Sequence, residues 1–128
     1  MSTRVLVVDD DTLVCRAISV VLARGGFDVR SAHDGGPALE IVSAWTPDIA
    51  VVDYNMPTSG LSLVRQLKSR LGDHVFVAVL TGDDCEEMRE KSLAGGADAV
   101  LIKPIAPVEL RRRLMAAATA LKMLDAAS

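Results

Sequence analysis

Apolar residues in this chain fall into two kinds of run. Short continuous ones occupy Val5-Leu6-Val7-Val8, Ile49-Ala50-Val51-Val52, Val75-Phe76-Val77-Ala78-Val79-Leu80 and Ala99-Val100-Leu101-Ile102. Each is too short for a helix, rich in β-branched residues, and reads as a strand buried on both faces. Phe27-Asp28-Val29-Arg30-Ser31-Ala32 is more polar and suits a sheet edge. Between these runs apolar positions recur at helical spacing. Val14, Ala17, Ile18, Val21 and Leu22 predict a helix over about 12–25 with Gly25-Gly26 as its stop. Gly35-Gly36-Pro37 reads as a turn into a second helix carrying Leu39, Val42 and Trp45, which stops before Pro47. A third helix carries Leu61, Val64, Leu67 and Leu71. The fourth, about 84–94, has only Cys85, Met88 and Leu93 to hold it down and should be the most mobile. The fifth starts near Pro107 with Leu110, Leu114, Ala118 and Leu121 inward.

Strand and helix alternate five times, a (βα)5 pattern. With right-handed crossovers it predicts an α/β fold, a doubly wound parallel five-stranded sheet in a three-layer sandwich. At 128 residues and 50% hydrophobic content the chain is expected to be one domain, 1–128, with the alanine-rich stretch from about 121 a candidate tail or linker start.

The strand ends carry the chemistry. The first strand runs into Asp9-Asp10-Asp11, the third into Asp53, the fourth into Thr81-Gly82 and the fifth into Lys103-Pro104. In open parallel sheets the carboxyl edge of the strands is where ligands bind. Asp11 and Thr12 fit a helix N-cap and first turn. Asp9 and Asp10 fit a cation site better, because adjacent acids after a buried strand repel one another without one. Asp53 is the candidate reacting group.

Charge and composition narrow the classes. A net charge of −3 gives no electrostatic reason to expect nucleic acid, and 3% aromatic content argues against a base-stacking surface. Cys15 and Cys85 match no metal-ligand spacing and read as small buried hydrophobes of a reducing compartment. No apolar run approaches the ~18 residues that cross a membrane, and Met1-Ser2-Thr3-Arg4 passes straight into a strand without the architecture of a signal peptide. A cytoplasmic domain without direct nucleic-acid or membrane contact is the expectation.

The set Val-Val-Asp-Asp-Asp, Val-Val-Asp-Tyr-Asn-Met-Pro, Leu-Thr-Gly and Leu-Ile-Lys-Pro resembles the receiver domain of two-component response regulators over essentially the whole chain. The resemblance implies a flavodoxin-like sheet of order 2-1-3-4-5. It implies that Asp53 accepts a phosphoryl group from a histidine kinase, a phosphotransfer protein or a small phosphodonor. It also implies Mg²⁺ (or Mn²⁺) held by Asp9, Asp10, Asp53 and the backbone carbonyl of Asn55. Thr81, Gly82 and Lys103 would bind phosphate oxygens and switch the fold, with a cis peptide before Pro104. Asn55 and Asp83, at the positions that tune phosphate lifetime, resemble those of fast-dephosphorylating members. Such a domain turns over no separate substrate and acts through a downstream effector or output domain. Arg89, Glu109 and Arg113 resemble a charged set used for homodimers through the fourth helix, fifth strand and fifth helix, although Ala99 stands where an acid is common.

Some positions depart from the family pattern. Val100 stands where a switching Tyr or Phe is usual, which puts the ordinary readout through that interface position in doubt. Ile105 replaces a common Phe, and Gly60 follows Pro57 one residue sooner than is typical. Two alternative readings fit the residues less well. Asp9-x-Asp11 loosely resembles the haloacid dehalogenase phosphatase motif, but Leu13 stands where that motif needs Thr or Val, and there is no cap domain. A degenerate receiver serving as a scaffold is at odds with the complete acid, Thr and Lys set.

Overall fold

In the computed structural model residues 2–127 are described, with side-chain surroundings through residue 124. Five strands, β1 (Arg4–Val8), β2 (Asp28–Ala32), β3 (Ile49–Asp53), β4 (Phe76–Thr81) and β5 (Ala99–Ile102), alternate with five helices. These are α1 (Thr12–Arg24), α2 (Gly35–Ala44), α3 (Gly60–Leu71), α4 (Glu86–Ala94) and α5 (Pro107–Ala127). The sheet is parallel with order β2-β1-β3-β4-β5. The polar β2 is an edge strand, and the order reverses between β1 and β3.

Alternation along the strands divides the interior into two cores. Leu6, Val8, Ala50, Val52, Val77 and Val79 face α2 and α3, meeting Ala38, Val42, Trp45, Leu63, Val64 and Leu67. Val5, Val7, Ile49, Val51, Ala78, Leu80 and Leu101 face α1 and α5, meeting Cys15, Ile18, Leu22, Leu110 and Leu114. Every residue of β3 is buried. Each large buried side chain contributes roughly 1.5–3 kcal/mol, so the sheet is anchored on both faces around β3.

Several boundaries differ from the sequence reading. Gly35, Gly36 and Pro37 form the first turn of α2 rather than a turn before it, with Asp34 as N-cap; proline is tolerated there because its missing N–H would be unpaired anyway. Trp45 ends α2 in an extended conformation yet stays buried, with Arg4 and Arg30 guanidinium groups 5.6 and 4.9 Å from its ring centre. β4 starts at Phe76, after a 3₁₀ turn at Gly72–His74. α5 continues through the alanine-rich end to Ala127. Cys15 is buried as expected, but Cys85 is exposed as the N-cap of α4, and Leu93 is 41% exposed. The buried residue of α4 is Ser92, whose hydroxyl donates to the Met88 carbonyl at 2.9 Å. Little apolar surface of this helix is therefore turned inward.

At the amino edge of the strands Lys68 on α3 fastens the sheet. Its Nζ donates to the Val75 carbonyl and to Asp98 Oδ2, both at 2.7 Å, and the same Asp98 oxygen accepts the Val77 N–H at 2.8 Å. No described helix is long and apolar enough to cross a membrane.

Candidate functional site: an acid pocket at the carboxyl edge

In the β1–β3 ladder Val8 lies opposite Val52, so the next residues, Asp9 and Asp53, leave the sheet side by side. The register of two apolar strands therefore sets the spacing of the two acids. One carboxylate oxygen each from Asp9, Asp10 and Asp53 lie within 4.8 Å of one another. Asp9 and Asp53 are only 1% and 4% exposed, while Asp10 is open to solvent. Lys103 reaches in from the end of β5: its Nζ is 3.0 Å from Asp9 Oδ2 and 3.2 Å from Asp53 Oδ1. Its backbone N–H is fixed by the Thr81 carbonyl at 2.7 Å, and the Lys103–Pro104 peptide is cis.

Two carboxylates packed together out of water resist ionising together. Burial, and then the Asp9 charge, push the Asp53 pKa above its usual value, and Lys103 offsets only part of this. For Lys103 burial disfavours the ammonium, but hydrogen bonds and charge from Asp9 and Asp53 outweigh it, and its pKa is raised. The lysine is therefore a fixed positive charge at neutral pH.

Asp9 Oδ1 accepts the Asp11 N–H at 2.9 Å, and Asp11 in turn caps α1 by accepting from Leu13 and Val14 at 3.0 and 3.2 Å. Asp53 Oδ1 faces the Asn55 N–H at 3.4 Å as well as Lys103. Among the described residues no donor is bonded to Asp53 Oδ2. Since none of their fully buried side-chain oxygens lacks a partner, Oδ2 keeps a small contact with solvent.

Thr81 is fully buried at the end of β4, and its hydroxyl accepts the Asp83 N–H at 3.1 Å. Gly82 and Asp83 are exposed beside it. The residues named for an interface are less uniform. Arg89 is exposed on α4, whereas Glu109 is engaged within α5 by Arg112 at 3.0 Å and Arg113 at 3.2 Å. Val100 is only 8% exposed, so its side chain belongs to the packed sheet.

Two neighbours of the pocket escaped the sequence reading. His33 Nδ1 lies 3.2 Å from the Asp9 carbonyl oxygen, and Asp34 Oδ1 accepts both the Gly35 N–H at 2.8 Å and the Thr58 N–H at 3.1 Å. Those bonds, Gly35 first, hold the Asp34 carboxyl below the usual range. Both residues follow the carboxyl end of β2, so the rule that selected the other four strand ends would have selected them. The polarity of β2 drew attention to its edge position instead.

Gly60 closes the loop after Asp53, its N–H donating to the Tyr54 carbonyl at 3.3 Å. The loop packs so tightly that a β-carbon on Gly60 would lie 2.5 Å from the Asp53 carbonyl oxygen.

Fold and site together define a doubly wound α/β domain with a lysine-bridged acid pocket at its switch point. A family model described as the response regulator receiver domain matches residues 5–115, and the chain belongs to this family of two-component signalling proteins. The response regulator MprA of Mycobacterium bovis is 42% identical over 128 residues, covering 99% of this chain and 55% of the relative. The chain thus spans about half the length of the curated relatives it matches. A CheY-like receiver domain protein from Methanospirillum hungatei superimposes with a TM-score of 0.89 at 26% identity, over 96% of this chain and 98% of that one. The chemotaxis response regulator CheY4 of Vibrio cholerae gives a TM-score of 0.84 at 29% identity, over 90% of this chain and 98% of that one. These likenesses do not favour the dehalogenase-type alternative.

Proposed function

We propose that this domain is a phosphorylation-dependent switch in which Asp53 accepts a phosphoryl group from a histidine kinase, a phosphotransfer protein or a small phosphodonor. The observation that carries the reading is the asymmetry of the Asp53 carboxylate. Oδ1 is held by Lys103 and the Asn55 N–H, while Oδ2 has no donor bonded to it among the described residues. Oδ2 would attack phosphorus, forming an O–P bond as the bond from phosphorus to the donor's nitrogen or oxygen breaks, and the donor leaves with that electron pair.

An anion approaching an anion needs neutralising charge, and in a dry pocket fixed charge is most effective. Lys103 supplies part of it on a long flexible stem that can follow a phosphate oxygen. Asp9, Asp10, Asp53 and the Asn55 carbonyl would hold Mg²⁺ or Mn²⁺, and three carboxylates with oxygen donors only within 4.8 Å of one another suit such a hard cation. When bound, the cation supplies the remaining positive charge at the transferring oxygens. Thr81 and the Gly82 N–H would bind another oxygen of the acyl phosphate and so couple chemistry to the β4–α4 loop. Asn55 and Asp83 stand at the positions that tune phosphate lifetime in the family and resemble those of fast-dephosphorylating members, so a short-lived phosphoryl state is expected, with a half-life that lengthens in Asp83→Ala.

Residues 1–128 would act as one receiver unit in the cytoplasm. It would contact a kinase and an effector or output domain, pair with itself through α4, β5 and α5 where Arg89, Glu109 and Arg113 lie, and touch neither nucleic acid nor membrane directly.

The test is intact mass of wild type and Asp53→Asn after acetyl phosphate, with Mg²⁺ or with chelator. One added phosphoryl group in wild type with Mg²⁺ alone is expected. If neither acetyl phosphate nor beryllofluoride alters the wild-type protein, the reading is wrong.

A further inference from the structure

We propose that Asp34, outside the acid pocket, is a positioning residue for the loop that follows Asp53, and through that loop for the Asn55 backbone at the Asp53 carboxylate. The inference rests on Asp53 being the phosphoacceptor.

The loop from Tyr54 to Ser59 has no regular structure. Its start is fixed by the Tyr54 N–H donating to the Leu80 carbonyl at 2.8 Å, and its end by the Gly60 N–H returning to Tyr54. Ser59, the N-cap of α3, makes no capping bond with its side chain. Among the described residues two hydrogen bonds tie positions 55–58 to other elements: a long one from the Asn55 N–H to Asp53 Oδ1 at 3.4 Å at the end of β3, and a shorter one from the Thr58 N–H to Asp34 Oδ1 at 3.1 Å. The steric fit agrees with it: a β-carbon on Gly35 would lie 2.9 Å from Thr58 Cγ2, so the glycine makes room for the Thr58 side chain.

A bond to one carboxylate oxygen that also caps α2 makes the loop part of a rigid element. The neighbouring His33 lies against the Asp9 carbonyl, so the turn after β2 touches the loops that carry Asp9 and Asn55. Groups that orient ligands from outside the first layer commonly decide their affinity. Without Asp34, Asn55 would keep its chemistry but lose its fixed place.

The test uses the full chain with Asp34→Ala, Asp34→Asn and Glu40→Gly. Asparagine keeps an acceptor oxygen and is a good N-cap. Glycine at the exposed Glu40 weakens α2 from its interior without touching the loop. Binding of MnCl2 is read by electron paramagnetic resonance, amide exchange at Asn55 and Thr58 by NMR, and phosphorylation by acetyl phosphate from intact mass. Asp34→Ala is expected to speed exchange at both amides and weaken Mn²⁺ binding on the order of tenfold. Asp34→Asn should restore both, and Glu40→Gly should leave both unchanged while lowering the melting midpoint. Wild-type Mn²⁺ affinity in Asp34→Ala, or no restoration by asparagine, overturns the inference alone. Wild type that binds no Mn²⁺ and gains no phosphoryl group overturns the phosphoacceptor reading and the inference with it.

Discussion

Gly60→Ala is expected to destabilise the domain even though alanine favours helices. Gly60 opens α3 against the end of β3, and an added β-carbon would lie 2.5 Å from the Asp53 carbonyl oxygen, 2.8 Å from Tyr54 Cα and 3.0 Å from the Tyr54 oxygen. The first contact falls short of an ordinary 3.4 Å separation by nearly an ångström. All three atoms are backbone, so relief requires α3 or the strand end to move as a unit. Overpacking of this kind costs about 1–3 kcal/mol, against at most ~1 kcal/mol returned by helix preference. The net loss is about 1–2 kcal/mol. With a urea slope of ~1.5 kcal/mol per molar, the midpoint should fall by about 1 M. Gly36→Ala provides the opposite case, since a β-carbon there meets nothing within 4 Å, and its midpoint should rise by a few tenths molar, as expected from a gain below ~1 kcal/mol. Equilibrium urea melts followed by Trp45 fluorescence and far-ultraviolet circular dichroism compare the two. A Gly60→Ala midpoint at or above wild type would refute the close approach of α3 to the end of β3.

Three further outcomes follow from the same geometry. Asp98→Ala strands the Val77 N–H and leaves the Lys68 ammonium with the Val75 carbonyl as its remaining partner; it should cost about 1–3 kcal/mol in urea melts, with acetyl phosphate labelling of the folded protein unchanged because this tie lies at the opposite edge of the sheet. Glu109→Gln should lower the urea midpoint slightly at pH 6 and by progressively less as pH falls from 4.5 toward 2. Arg112 and then Arg113 depress the Glu109 pKa from 4.5 to about 2, so its contribution is complete above 4.5 and is lost as pH falls through that window. In chelator, Asp53→Asn should raise the midpoint at pH 7, because burial and Asp9 raise the carboxyl pKa above 3.8 and folding therefore penalises the ionised form. The gain should shrink on acidification and vanish below 3.8, where the carboxyl is neutral in both states.

The parts of this fold legible in the sequence are those that local pattern dictates. Continuous apolar runs gave β1, β3, β4 and β5, and because side chains alternate across a strand, the same runs also implied two helical layers. The acid, Thr and Lys set was readable because each residue directly follows such a run. What depended on distant partners was not. Cys85 looks apolar on a helix, yet as N-cap it turns outward, and Ser92 takes the buried position by bonding its own helix. Gly35-Gly36-Pro37 reads as punctuation unless Asp34 is seen to cap it. The bond from Thr58 to Asp34 spans 24 positions and leaves no periodic trace.

The outward turn of Cys85 has a practical consequence. Cys15 is sealed in the core and burial raises its thiol pKa, whereas Cys85 is exposed two residues beyond Asp83, whose N–H is held by the Thr81 hydroxyl. Thiol reagents react through the accessible thiolate, so a maleimide dye added to the unaltered protein would mark this one position. Residues 1–128 thus offer one exposed thiol for an optical reporter at the start of α4, beside the loop that follows Thr81, without an engineered cysteine.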